Sequence, residues 1–259
     1  MNSVTVRFYA ELNELLPRAW RHYAFRCAVN GRVSVKDLIE SLGIPHTEVN
    51  LILIDGESAS FEQHLNGGEY ISVYPPFRAM EIGSASKVSP EPLPEIRFVL
   101  DAHLGKLTAY LRMLGFDCFY SNSADDDELT SVSAGQRRIL LTCDRGLLKR
   151  SRIIHGYLVR TRYPEKQLIE IIQRYDLVDH FQPFSRCIHC NTALLPISKD
   201  KIVDRLPEKV IDFCDEFTIC QTCDHVYWKG THYENMLDFI QRIKSEAQKK
   251  TSQVCPSIR

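Results

Sequence analysis

Two cysteine pairs near the end of the chain, Cys187/Cys190 and Cys220/Cys223, restrict its fold more than any other feature. A C-x-x-C knuckle aims two thiolates at one point. Two knuckles joined by a loop supply four, which fills the tetrahedral shell of Zn²⁺. The chain has nine cysteines in all, but Cys27, Cys118, Cys143, Cys214 and Cys255 are scattered and read as small apolar residues or bystanders. The opening MNSVTVRFYAELNELL has neither the basic start nor the cleavage site of a signal peptide, so the pairs are expected to hold metal rather than disulfides. Residues 181–245 are therefore expected to form a zinc ribbon and a C-terminal helix. The ion would be structural, because four thiolates leave no open position. His189 and His225 lie in or beside the knuckles, but four cysteines already suffice. After the second knuckle comes Tyr227-Trp228-Lys229, where two readings stand: Trp228 stacks on unpaired bases, or it covers a small core.

No window is long and apolar enough for a membrane-spanning helix, and a soluble, cytoplasmic protein is expected. At the N-terminal end, VTVRFYAEL alternates as a half-buried strand does, and HYAFRCAV is a second strand candidate. A helix is expected from Ser34, with Val35, Leu38, Ile39 and Leu42 at helical spacing and Gly43 at its end. VNLILIDG and YISVYPP are strand-like, so residues 1–80 read as a ββαββ unit of ubiquitin-like β-grasp type. Residues 81–94, EIGSASKVSPEPLP, are a linker by composition. Few contacts are expected to cross it, so the first module should fold alone.

Between 95 and 180 short apolar runs alternate with helical patterns, which argues for an α/β Rossmann-like parallel sheet. IRFVL ends at Asp101, and the next helix sets Leu104, Leu107, Leu111 and Leu114 on one face before Gly115. FDCFY precedes the acidic group Asp125 to Glu128. RRILLT ends just before Asp144, GYLVRT is another strand, and Pro164 suits a helix start. The tail, 246–259, reads as flexible.

Sites on parallel sheets form beyond the carboxyl ends of strands, where Asp101, the acidic group and Asp144 all fall. Converging carboxylates repel one another unless a hard cation such as Mg²⁺ or Mn²⁺ sits among them. The plainer alternative is a helix cap at each of Asp101, Asp126 and Asp144. No glycine-rich phosphate loop is present. Charge adds a further hint. Lys and Arg total 32 against 33 acids, yet nine bases lie between Arg137 and Lys166 with only Asp144 and Glu165 opposing them. That run is either a phosphate track or a solvated face.

The stretch FVLDAHLGKLTAYLRMLGFDCFY, then DDDEL, RRILLTCDRGLLKR and RCIHCN…CQTCDHVYWKGTH, resembles the Mut-seven-C RNase family. That family is a PIN-like group of ribonucleases with a C-terminal zinc ribbon, known also beside a β-grasp module. The clustering of L-D-x-x-L-G-K-L, L-R-M-L-G-F-D and L-T-x-D-R is specific. The resemblance implies Asp101, Asp126 and Asp144 as carboxylates for Mg²⁺ or Mn²⁺, and Lys106 as a contact to phosphate or metal-bound water. It implies Arg112 and Arg145 as phosphate contacts. Where the family usually reads T-R-D this chain has Thr142-Cys143-Asp144, so one basic contact is missing. Residues 1–80 also resemble sulfur carriers such as the molybdopterin synthase small subunit. They lack the terminal Gly-Gly, because the chain runs on through Pro75, Pro76, Phe77 and Arg78.

The function expected on these grounds is metal-dependent cleavage of RNA in processing or turnover, with a protein partner at the β-grasp domain. The alternative is a non-catalytic RNA-binding adaptor that uses the ribbon and the β-grasp domain. A sulfur-transfer accessory role is weakened by the absent Gly-Gly.

Overall fold

The computed structural model describes residues 2–77 and 85–251. Residues up to Glu95 form one compact unit with Ala124–Leu158. Ile96–Ser123 form a second with the chain from Val159 onward.

In the first unit, β1 (Asn2–Phe8) buries Val4, Val6 and Phe8, as its alternation demands. It pairs antiparallel with β2 (Phe25–Val29). The short β3 (Val33–Ser34) leads into α1 (Val35–Ser41), which starts where expected. There the Ser34 side chain caps the Asp37 backbone N–H, and Asp37 returns the bond in a capping box. β4 (Leu51–Ile54), β5 (Glu57–Ser58), β6 (His64–Leu65) and β7 (Tyr70–Tyr74) follow. The main sheet runs β2-β1-β7-β4-β5, with β1 and β7 parallel at its centre. This is the β-grasp arrangement, with small extra strands between the expected ones.

The second unit begins with β8 (Arg97–Leu100), where Phe98, Val99 and Leu100 are all fully buried. α2 (Gly105–Met113) turns Leu107 and Leu111 inward. Gly115 ends the turn at φ +97°, and a Cβ there would lie 2.3 Å from the Gln182 carbonyl oxygen, so only glycine fits. β9 (Asp117–Tyr120) pairs parallel with β8.

The chain then returns to the first unit for α3 (Asp126–Gln136), β10 (Ile139–Thr142), α4 (Arg145–Leu148) and β11 (Gly156–Leu158). β10 and β11 are again parallel, so the α/β class expected of this stretch is what it adopts.

α5 (Pro164–Tyr175) opens on Pro164 and belongs to the second unit. β12 (Leu195–Ile197), α6 (Glu208–Phe213), β13 (Phe217–Ile219) and β14 (Val226–Trp228) follow it. The three strands form an antiparallel sheet over a core of Ile202, Leu206 and Phe217. α7 (Thr231–Thr251) packs back on α5 and α2, with Phe239 against Tyr110 and an Arg242–Glu165 ion pair of 3.0 Å. It runs past residue 245, where the tail was expected to begin, because Ile240, Ile243 and Ala247 still have a buried face to fill. The rest of that tail, and the linker's first residues, fall outside the described residues. Among the described residues no helix is long and apolar enough to cross a membrane.

The linker does not isolate the first module. Val88 is buried, Ser86 donates to the Asn50 carbonyl, and the Asn50 amide donates to Ser89. The β-grasp part shares its unit with Ala124–Leu158. Composition reports how flexible a segment is when alone. It is silent on polar pairs that close over it.

Candidate functional site

Each expected acidic residue has a definite local setting. Asp101 is almost buried and caps the turn at Ala102–Leu104, with Oδ1 accepting from the His103 N–H at 2.8 Å. Asp144 is exposed and caps α4 through Oδ1, at 2.7 Å from the Gly146 N–H. Asp125 rather than Asp126 caps α3, by accepting from the Glu128 N–H at 2.8 Å. Asp126 is the first helical residue, and its carboxylate lies 3.5 Å from Arg150, which also pairs with Asp127. That pairing, chiefly with Asp127, raises the Arg150 pKa above its ordinary value. The cap alternative thus holds for Asp101 and Asp144. It does not exclude a ligand role, because an ionised carboxylate has about four acceptor positions. Asp101 lies in the second unit, Asp126 and Asp144 in the first.

The expected basic contacts divide in the same way. Lys106 is exposed on α2. Arg112 is buried. Its Nε and Nη2 donate to the Cys118 carbonyl at 3.2 and 2.8 Å, and its Nη1 to those of Ile188 and His189 at 3.2 and 2.7 Å. Burial pushes its pKa down, while Cys118, Cys190, Cys187 and Asp117 push it up. Arg145 donates to the Leu15 and Gly43 carbonyls at 3.0 and 3.5 Å, and Lys149 to that of Glu40 at 2.5 Å. Arg152 is exposed beside Arg150. Sequence reasoning missed the acceptors of Arg112, Arg145 and Lys149, because they are backbone oxygens supplied by distant segments.

The four cysteines come together, with all their sulfurs within 4.8 Å of one another. Cys187 and Cys223 are 3.5 Å apart, Cys190 and Cys220 3.2 Å. Thiolates at about 2.3 Å from one tetrahedral ion would stand roughly 3.8 Å from each other, so the set fits a single ion. Both knuckles turn alike. The Asn191 N–H donates to the Cys187 carbonyl and the Asp224 N–H to that of Cys220, with Asn191 and Asp224 both at positive φ. So many sulfurs in one place cannot all ionise without a cation. Burial opposes the Cys190 thiolate, yet hydrogen bonds with Thr192, Cys220 and Cys187 bring its pKa down to about 6. At Cys223 the His225 backbone bond lowers the pKa, but burial and proton sharing with Cys187, Cys220 and Cys190 push it to about 12. This donor set can hold a zinc ion. Asn191 anchors the first knuckle to β9, accepting from the Cys118 N–H and donating to Asp117, each at 2.9 Å.

Trp228 packs on the ribbon core and also lines an apolar cleft of about 570 Å³, with Tyr227, Phe184, Tyr233 and Met236 among its walls. The cleft was not legible in sequence, because the start of α7 and the loop before the knuckle both contribute to it.

The family model described as the Mut7-C RNAse domain matches residues 96–240, and the one described as Mut7-C ubiquitin matches 1–81. Among solved structures, the chain is similar to small archaeal modifier protein 1 of H. volcanii, at 21% identity over 30% of this chain and 100% of that one, with a TM-score of 0.25. It is also similar to a candidate molybdopterin converting factor, subunit 1, from Pyrococcus furiosus, at 22% identity over 30% of this chain and 100% of that one, with a TM-score of 0.24. No curated protein matches it significantly.

Proposed function

The chain belongs to the Mut7-C RNAse domain family, and on that premise we propose that it is a ribonuclease dependent on a divalent cation, acting in RNA processing or turnover. In this reading Asp101, Asp126 and Asp144 hold Mg²⁺ or Mn²⁺, since carboxylate oxygens are the hard donors these ions prefer. When bound, such an ion activates water and offsets the charge that builds on the phosphodiester. The chain's own part is orientation and recruitment. The cap bonds of Asp101 and Asp144 fix the planes of their carboxylates. Exposed Lys106 and Arg152 attract phosphate. Trp228, on the wall of the ribbon cleft, stacks an unpaired base. Arg112 and Arg145 have their donors on carbonyls, so the reading assigns them to the frame. Cys187, Cys190, Cys220 and Cys223 hold a structural Zn²⁺. We place the protein in the cytoplasm, where a reducing milieu keeps thiolates available for metal.

The observation that carries this reading is the family match across the stretch in which Asp101 and Asp144 each follow a buried strand of a parallel pair. The test is incubation with mixed cellular RNA, with and without Mn²⁺, for the wild type and Asp101→Ala. Cleavage that needs Mn²⁺ and disappears in the variant is expected. One observation favours the second reading, an RNA-binding adaptor without catalysis: both aspartates already serve as caps. Binding without any cut ends would decide for it.

A further inference from the structure

α4 has only four residues, Arg145–Leu148, and carries Asp144 as its N-cap. A helix so short has no stability of its own, since one turn costs more chain entropy than its bonds return. Something else must hold it, and the β-grasp domain does so at both ends. Arg145 and Lys149 stand four residues apart, on one face. Both reach into the β-grasp domain around the C-terminal end of α1. Arg145 Nη1 donates to the Leu15 and Gly43 carbonyls at 3.0 and 3.5 Å, and Lys149 Nζ to the Glu40 carbonyl at 2.5 Å. A helix C-terminus carries partial negative charge, which suits two cations.

The chain leaving α4 is tied in the same way. The His46 imidazole bridges the Glu40 carboxylate at 2.7 Å and the Ile153 carbonyl at 2.8 Å, and its side chain is nearly buried. Farther on, the Leu158 N–H in β11 donates to Glu48 Oε1 at 2.7 Å, and Glu48 is 1% exposed. A carboxylate is buried only where it is fully partnered, because desolvating it is costly. Glu48 therefore marks a permanent contact rather than an occasional one. The ties fall at 145, 149, 153 and 158, along the whole segment that follows Asp144.

We infer that the β-grasp domain is a built-in brace that positions the Asp144 carboxylate through α4, with His46, Arg145 and Lys149 as positioning residues. The inference rests on the reading of Asp144 as a metal-holding residue. A ligating or catalytic group must be held to within about 0.5 Å, and a four-residue helix cannot do that unaided. The brace also gives Arg145 and Lys149 a task that is not contact with RNA.

The test uses the full chain with His46→Ala, Lys149→Met and Glu48→Gln. Hydrogen exchange of the amides between 145 and 158 should rise roughly tenfold in the first two variants. It should rise less in Glu48→Gln, which keeps an acceptor oxygen for Leu158. Cleavage by the first two should need several-fold more Mn²⁺, with RNA affinity in the absence of metal unchanged. A phosphate track makes the opposite prediction: Lys149→Met weakens RNA binding and its salt dependence, and His46→Ala does nothing. Wild-type exchange across 145–158 in both variants would overturn the brace. Should the wild type fail to cleave RNA at all, the nuclease reading falls, while the exchange measurement still decides whether the domain braces α4.

Discussion

Arg112→Met keeps most of the aliphatic stem of Arg112 and removes the fork. The fork makes four hydrogen bonds to three carbonyls, those of Cys118, Ile188 and His189. It thereby joins α2 and β9 to the first cysteine knuckle. Hydrogen bonds from a charged donor contribute about 1.5–3 kcal/mol each, but they are not additive when they share one group. Relief of the guanidinium's own desolvation offsets part of the loss. The bonds to the Ile188 and His189 carbonyls are only partly buried, so water can replace them, whereas those to the Cys118 carbonyl are buried. The net cost is therefore about 3 kcal/mol, an amount usual for breaking a buried network. For a chain of this size that lowers Tm by roughly 6–12 °C. Thermal melts, and the rate at which a chelator removes zinc, read the effect. Both should change, while RNA affinity keeps its salt dependence. If Arg112→Met melts like the wild type and its RNA affinity loses about one unit of salt slope, Arg112 is a phosphate contact and does not tie α2 and β9 to the first knuckle.

Purified protein should contain about one Zn²⁺ per chain, and Cys187→Ser/Cys220→Ser should lose it and unfold the ribbon; full zinc in that variant refutes the centre. Asp101→Asn and Asp144→Asn should keep stability, because Asn caps well, yet stop cleavage; the alanine versions should also lose about 1 kcal/mol as caps. Cleavage by Asp101→Ala at the wild-type rate in saturating Mn²⁺ would remove the acid from the mechanism. Arg150→Ala should lower the Mn²⁺ needed for half-maximal cleavage, since Arg150 competes with the ion for Asp126; a fall in RNA affinity with no change in Mn²⁺ requirement would mean it contacts phosphate instead. Burial, helped by Arg137, pushes the His155 pKa below its ordinary 6.5. The unfolded chain therefore binds the extra proton first as pH falls. This residue's contribution is intact above about pH 6.5 and is lost as pH drops toward the folded value. His155→Gln should flatten that acid limb in pH-dependent denaturation, and an unchanged limb would exclude it.

Elements with strong periodicity were legible in sequence. β1 shows its alternation, α1 its Ser34 start, α5 its Pro164, and β8 its uninterrupted apolar run, since each follows from short-range sterics and burial. The four cysteines were legible because their spacing is itself the geometry. The acids were legible as positions at strand ends, but which of them caps was not. Asp125 rather than Asp126 starts α3, a difference of one residue that no pattern resolves. The partners of the cations were the least legible. Three of the residues that read as RNA contacts or as part of a basic track, Arg112, Arg145 and Lys149, donate to carbonyls. A fourth, Arg150, pairs with acids. A run of positive charge fixes the number of donors. Their acceptors are set by tertiary contact, and every segment of backbone is equally able to provide them.

The same distinction explains what the first module can do. A sulfur carrier acts through a free terminal Gly-Gly, so its chemistry lies at the end of the chain and its faces serve for docking. Here the chain continues past Tyr74, and the polar groups that matter lie on the side of the domain that meets Ala124–Leu158. Glu48 is buried and accepts from the Leu158 N–H, and His46 is held between a carboxylate and a carbonyl. Groups matched this closely to one neighbour would be left unsatisfied if that neighbour departed, and each such loss carries a desolvation cost. A module that exchanges partners avoids burying polar side chains in this way. A module that holds a short helix in place requires it, because directional bonds to a carboxylate and to carbonyls fix position, whereas apolar contact alone permits sliding.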